Sequence, residues 1–203
     1  MKKVFVLLVL VVAAAVALSG CEKKVNMKPK TAEEWRAYLK FRRDEVLREL
    51  YKARPGAKAE IAHAKGYAVF TSLNVNVFLA SVSGGRGVLH ENGLFGRDTF
   101  MCMGQAGVGL GLGVKDFRAV FIFNDRSVME KFLKEGWQFG AEADAAAKGG
   151  GAGAATSGAI EIAPGLRAYQ LTENGLALQA TVKGTKYWRD AFVNGDRNAR
   201  SEK

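Results

Sequence analysis

Side chains able to act as nucleophiles, bases or metal ligands are sparse in this sequence. It holds two histidines, His63 and His90, and two cysteines, Cys21 and Cys102. A protein metal site usually draws three or four such ligands together at recognisable spacing, and two distant histidines do not make a pair. His63 reads as a partly exposed helix residue. Cys102 lies between Met101 and Met103 and alternates with them across a strand, which fits a small buried hydrophobe; a soft-metal Met/Cys site is the alternative. Neither His-Glu-x-x-His, Gly-x-Ser-x-Gly, Cys-x-x-Cys nor a Walker pattern occurs, so the hydrolase, zinc and nucleotide signatures are missing. We assign no catalytic residue, no metal and no cofactor, and expect a chain that is not an enzyme. The glycine runs fail as phosphate cradles. In Gly107 to Gly113 hydrophobic residues alternate with the glycines and another strand follows, and Gly149 to Ala154 has no clean strand before it and no helix after it.

Cys21 is the exception. Lys2 and Lys3 precede an unbroken apolar run from Val4 to Leu18, too short for a comfortable membrane span but suited to a signal-peptide core. Leu18-Ser19-Gly20-Cys21 then resembles the bacterial lipobox. There the small residues admit the chain to the peptidase, the thiol accepts a diacylglyceride, cleavage falls between Gly20 and Cys21, and the new amine is acylated. Residues 1–20 are therefore expected to be removed, and 21–30 to form a lipidated tether. A buried CH₂ contributes about 0.8 kcal/mol, so two or three acyl chains such as palmitate hold a domain on a bilayer essentially permanently. Glu22 follows the cysteine. By the sorting habit of lipoproteins in two-membrane bacteria this leans towards the periplasmic face of the outer membrane. An exported, acylated domain does not meet nucleic acid, whatever its charge.

Composition agrees with one domain plus appendages: 203 residues, 48% hydrophobic and 25% charged. The formal net charge is +10, of which Lys2 and Lys3 carry two, leaving +8. Between residues 21 and 65 there are thirteen Lys or Arg against seven Asp or Glu, so the positive excess lies next to the anchor. Juxtamembrane cations are each worth about 1 kcal/mol near an anionic leaflet. A structural disulfide is not expected, because the two cysteines sit in very different surroundings.

The elements that must position these groups read as α+β. Thr31 with Glu34 forms a capping box for an amphipathic N-terminal helix that runs to about Lys52 and stops before Pro55-Gly56. Trp35, Tyr38, Leu39, Val46, Leu47 and Leu50 fall on one side, and a stripe of this kind ordinarily docks on a sheet with its charges as the solvated back. Ala57 to Lys65 reads as a second short helix. Strands are expected at Tyr67 to Phe70, Leu73 to Val82, Arg86 to Glu91, Thr99 to Met103 and Ala119 to Phe123, with Asn92-Gly93 as a primed hairpin turn. Ser127 and Glu130 suggest a capping box for a further helix near residues 127–136. Trp137 to Ala147 is read as strand and Lys148 to Ser157 as a Gly/Ala loop. Leu166 to Thr172, Asn174-Gly175 and Leu176 to Val182 read as a hairpin, and Tyr187 and Trp188 as a short turn or helix capping the core. The fold class expected is a curved, mainly antiparallel sheet, sandwich or partly open barrel, spanning 31–194, with 195–203 a disordered tail. In the stretch Gly107 to Val114 every second residue is glycine, leaving one strand face bare; such a face marks close approach of a packed element or of a ligand.

Lys65-Gly66-Tyr67-Ala68-Val69-Phe70, Ser83-Gly84-Gly85-Arg86-Gly87-Val88-Leu89, the glycine strand with Lys115-Asp116-Phe117 and Phe121-Ile122-Phe123-Asn124, and Gly175-Leu176-Ala177-Leu178 with Gly184-Thr185-Lys186-Tyr187 together resemble the SYLF domain. The likeness is to its bacterial lipoprotein branch and runs from about Ala32 to Asn194. It implies a non-enzymatic lipid-binding domain whose eukaryotic members bind phosphoinositides partly through an N-terminal amphipathic segment. Carried onto this chain, that segment is the helix with Trp35, Lys40, Arg42, Arg43 and Arg48 as head-group residues. A bacterial envelope offers phosphatidylglycerol or cardiolipin instead of phosphoinositides, and actin binding, known for some members, does not transfer to an exported protein. Gly149 to Ala155 departs from the Gly-Pro-Gly style turn of the family. The expected partner is an anionic phospholipid membrane, with Gly107, Gly109, Gly111 and Gly113 as a possible acyl groove. The alternative is a structural module that binds an envelope protein and uses lipid only for anchoring.

Overall fold

A computed structural model describes residues 29–73, 81–107, 118–138, 159–172, 175–177 and 185–196. Gly20, Cys21, Gly109, Gly111 and Gly113, the 148–157 loop and the tail from 197 lie outside the described residues, as does most of the 137–147 segment.

Helix α1 (Ala32–Ala53) begins as its capping box requires. Thr31 Oγ1 accepts from Glu34 N at 3.2 Å, and the Glu34 carboxylate accepts from Thr31 N at 3.3 Å and from Lys30 N at 2.7 Å. Two orphan amides are thereby satisfied reciprocally. The helix ends at Arg54, where the following proline disfavours helical backbone, and α2 (Gly56–His63) starts behind Pro55. The stripe Leu39, Val46, Leu47 and Leu50 is buried.

The strands are β1 (Gly66–Leu73), β2 (Ser81–Glu91), β3 (Arg97–Gly107), β4 (Arg118–Phe123), β5 (Trp137–Gln138), β6 (Ile160–Ala163), β7 (Leu166–Thr172), β8 (Gly175–Ala177) and β9 (Thr185–Arg189); helix α3 (Arg126–Glu135) follows β4 and α4 (Ala191–Asn194) follows β9. Among the described residues they form one nine-stranded sheet in the order β5-β9-β3-β2-β1-β4-β7-β6, with β8 also on β7. Every described pairing is antiparallel, and the sheet curls into a half-barrel. The α+β class holds, in the partly open barrel form.

Both faces of the sheet are covered, so β4 reads as a continuous apolar run. Ala119, Phe121 and Phe123 join Phe70, Met101, Met103, Tyr187 and the α3 residues Met129 and Phe132 on one face. Val120 and Ile122 join Val69, Tyr169 and Leu171 beneath α1 and α2 on the other. The first face is built on edge-to-face rings, Phe70 meeting Phe121 at 5.8 Å and Tyr187 at 4.7 Å between centroids. Gly87 pairs with Phe70 in the ladder; a Cβ there would overlap the Phe70 ring and the Val69 carbonyl oxygen, so the missing side chain is what seats the ring.

Four local expectations are corrected. The β2–β3 connection is a five-residue loop, 92–96, with Glu91 opposite Arg97, because the Asn92 side chain turns away to donate to Ile61 O at 2.7 Å and Ala64 O at 3.0 Å. Helix α3 is capped by Asp125, which accepts from Ser127 N, and Ser127 lies inside the helix. Tyr187 and Trp188 belong to strand β9, whose partner is the distant Cys102–Met103 segment of β3. The strand expected over Leu73 to Val82 divides: Leu73 ends β1, Ser81 and Val82 open β2, which runs antiparallel to β1, and 74–80 lie outside the described residues. Of the 137–147 strand, Trp137 and Gln138 are extended as expected.

Candidate functional site

Helix α1 lays its N-terminal half over β2 and β3, which decides what its polar side chains can do. Trp35 and Tyr38 pack on a small cluster of Leu39, Val88, Phe100 and Val193. The Arg86 guanidinium stands 4.1 Å from the Trp35 ring centroid, a cation–π contact, and its Nε donates to Asp190 at 2.7 Å. Asp190, 4% exposed, also accepts from Val193 N at 3.0 Å and from Cys102 Sγ at 3.2 Å, so one carboxylate caps α4 and fixes both side chains. Burial, reinforced by Asp190, pushes the Cys102 thiol up to about 12. It is therefore a neutral thiol at physiological pH, not a nucleophile.

Further along α1, Arg43 and Lys40 converge on Asp98 of β3, at 3.2 Å and 3.3 Å, and His90 Nδ1 donates to the same carboxylate at 2.7 Å. Burial opposes ionisation of Asp98, yet the His90 hydrogen bond and the Arg43 cation outweigh it and hold the carboxyl below its usual range. Arg42 bridges to Glu45 within the helix.

The five expected head-group residues thus divide. Trp35 and Arg43 belong to the packing of α1 on the sheet, and Arg42 is half-buried against Glu45. Lys40 and Arg48 are exposed. Arg48 and the exposed Phe41 are seven residues apart, two turns along the same helix face. Gly107 ends β3 opposite Ser81. Two prominent side chains escape sequence reasoning: Leu94 and Phe95, 93% and 90% exposed at the β2–β3 tip. The signal available was local, an apolar pair inside a turn that should be polar.

No group of three or more His, Cys, Asp or Glu suited to a metal occurs among the described residues, and no described helix is long and apolar enough to cross a membrane. The class these features define is an α+β domain with an α1-covered antiparallel half-barrel. Over 175 residues the chain is 34% identical to Beta cell expansion factor A of Aeromonas veronii, an alignment that takes in 85% of this chain. The chain spans 65% of the length of that curated relative. No family model matches.

Proposed function

We propose that this chain is a SYLF-like, non-enzymatic envelope lipoprotein, acylated at Cys21 and exported to the periplasmic face of the outer membrane, whose domain binds anionic phospholipid. The observation that carries the reading is the apolar run ending in Leu18-Ser19-Gly20-Cys21: a thiol so placed puts the domain within reach of a bilayer. The exposed Lys40 and Arg48, with Phe41 beside them, supply the attraction an amphipathic surface has for anionic lipid. The similarity to Beta cell expansion factor A is compatible with a shared domain.

A second reading has one observation in its favour. Trp35 and Arg43 are engaged in packing α1 on the sheet and Arg42 in a pair with Glu45 of its own helix, as in a structural or protein-interaction module that uses lipid only for anchoring. Sedimentation of the mature chain carrying Cys21→Ser with vesicles separates the two. Binding that rises with phosphatidylglycerol or cardiolipin and falls with salt supports the first; none at any composition leaves only the second. Mass spectrometry of the mature N-terminus tests acylation directly.

A further inference from the structure

Leu94 and Phe95 differ from every other large apolar side chain among the described residues. The next most exposed, Phe192, is 48% exposed, about half their values of 93% and 90%. They are adjacent, at the apex of the 92–96 loop, between two glycines. Gly93 takes φ +151°, and a Cβ on Gly96 would run into the His90 ring at 2.9 Å, so the turn is kept narrow at its neck.

The base of the loop is braced on all sides. Asn92 N donates to Lys65 O at 2.9 Å, and the Asn92 amide bonds two carbonyls at the end of α2. Arg97 pairs with Glu91 at 2.7 Å. Asp98 gathers His90, Arg43 and Lys40. A fixed neck that holds two apolar side chains in water loses little further freedom when they are buried, which is what preorganisation for binding means. Isolated exposed apolar residues need no explanation, but an adjacent pair on a braced protrusion does.

We propose that the Leu94-Phe95 tip is a wedge that enters the acyl region of a bilayer. This rests on the phospholipid-binding reading above and names the contact through which it acts. Two side chains are too small a patch for a stable protein interface, whereas a fluid acyl layer closes around a protrusion of any shape. The surroundings are cationic on balance: Arg97, Lys40, Arg43 and the exposed Lys65 stand at the neck, four positive charges against the two carboxylates of Glu91 and Asp98. The anchor permits it. The ten residue steps from Cys21 to Thr31 reach about 30 Å when extended. From Thr31 to Lys40, which touches Asp98 at the neck, the helix rises only about 14 Å.

The test uses the full mature chain with Cys21→Ser and vesicles of phosphatidylcholine with one quarter phosphatidylglycerol. Leu94→Ser with Phe95→Ser should leave the near-ultraviolet dichroism and melting temperature unchanged and weaken vesicle partitioning about tenfold, a loss of roughly 1.4 kcal/mol. Phe95→Trp should show emission quenched by lipids brominated in the acyl chain, beyond the quenching of the parent. Partitioning that survives the double substitution, or an added tryptophan that brominated chains do not quench, overturns the wedge and leaves the phospholipid reading standing. A parent chain that binds no vesicle sinks both. Should the double substitution abolish self-association in lipid-free solution with partitioning unchanged, the tip is a protein contact and the proposal is wrong.

Discussion

The Arg86 guanidinium lies 4.1 Å above the ring of Trp35 while its Nε donates to the buried Asp190. One cation therefore ties the start of α1 to the cap of α4. Removing it by Arg86→Ala leaves a buried carboxylate without its counter-charge; Arg86 is itself partly solvated, so the expected loss is about 2 to 3 kcal/mol, below the full value for a dry pair. Asp190→Ala also strips the cap of α4 and should cost at least as much. The double variant should be far less destabilised than the sum of the two. Equilibrium urea unfolding measures all three.

The carboxyl of Asp98 is held below its ordinary value of 3.8. A group whose folded pKa is depressed contributes stability that is complete above the unfolded pKa and fades as the pH falls through the folded one. The advantage of the parent over Asp98→Asn should therefore shrink as the pH falls below about 4. Unfolding midpoints from pH 7 to pH 2 give the answer; a constant gap throughout would contradict the depressed carboxyl.

Cys102 should resist alkylation. With its thiol pushed up to about 12, thiolate is rarer by about three orders of magnitude than in an ordinary cysteine, and its reaction with iodoacetamide at pH 8 should be at least a hundredfold slower than in urea. Mass spectrometry of timed samples from the Cys21→Ser chain follows this single thiol.

Gly87→Ala should destabilise the domain by about 1 to 3 kcal/mol, since the new methyl meets the Phe70 ring and the Val69 carbonyl oxygen and the core has no slack there. Gly56→Ala, where nothing lies within 4 Å of the new atom, should be neutral or slightly stabilising. The pair of melting temperatures separates packing from backbone propensity.

Where a signal was local, the chain was readable in advance. The Thr31 box, the Pro55 stop, the apolar β4 and the buried stripe of α1 all follow from neighbours within a few residues. The role of Asn92 is hidden in the sequence because its amide serves α2, some thirty residues earlier in the chain. The strand at Tyr187 is hidden because five residues are too few to declare a period, and their partner lies far back in β3. The candidate surface shows the same division. Exposed Lys40 and Arg48 could be named from charge and helical spacing. The engagement of Arg43 with Asp98 could not, since it depends on how α1 crosses the hairpin.

The outer flank of β7 is shared: β6 occupies Leu166–Ala168, with an irregular step between Glu161 and Ala163, and β8 occupies Gln170–Thr172. Among the described residues two separate strands share that flank, where a single long ribbon would have offered a straight row of free amides and carbonyls. A neighbouring copy that approached along those residues would meet an interrupted template rather than a straight one, which disfavours edge-to-edge growth into a fibre.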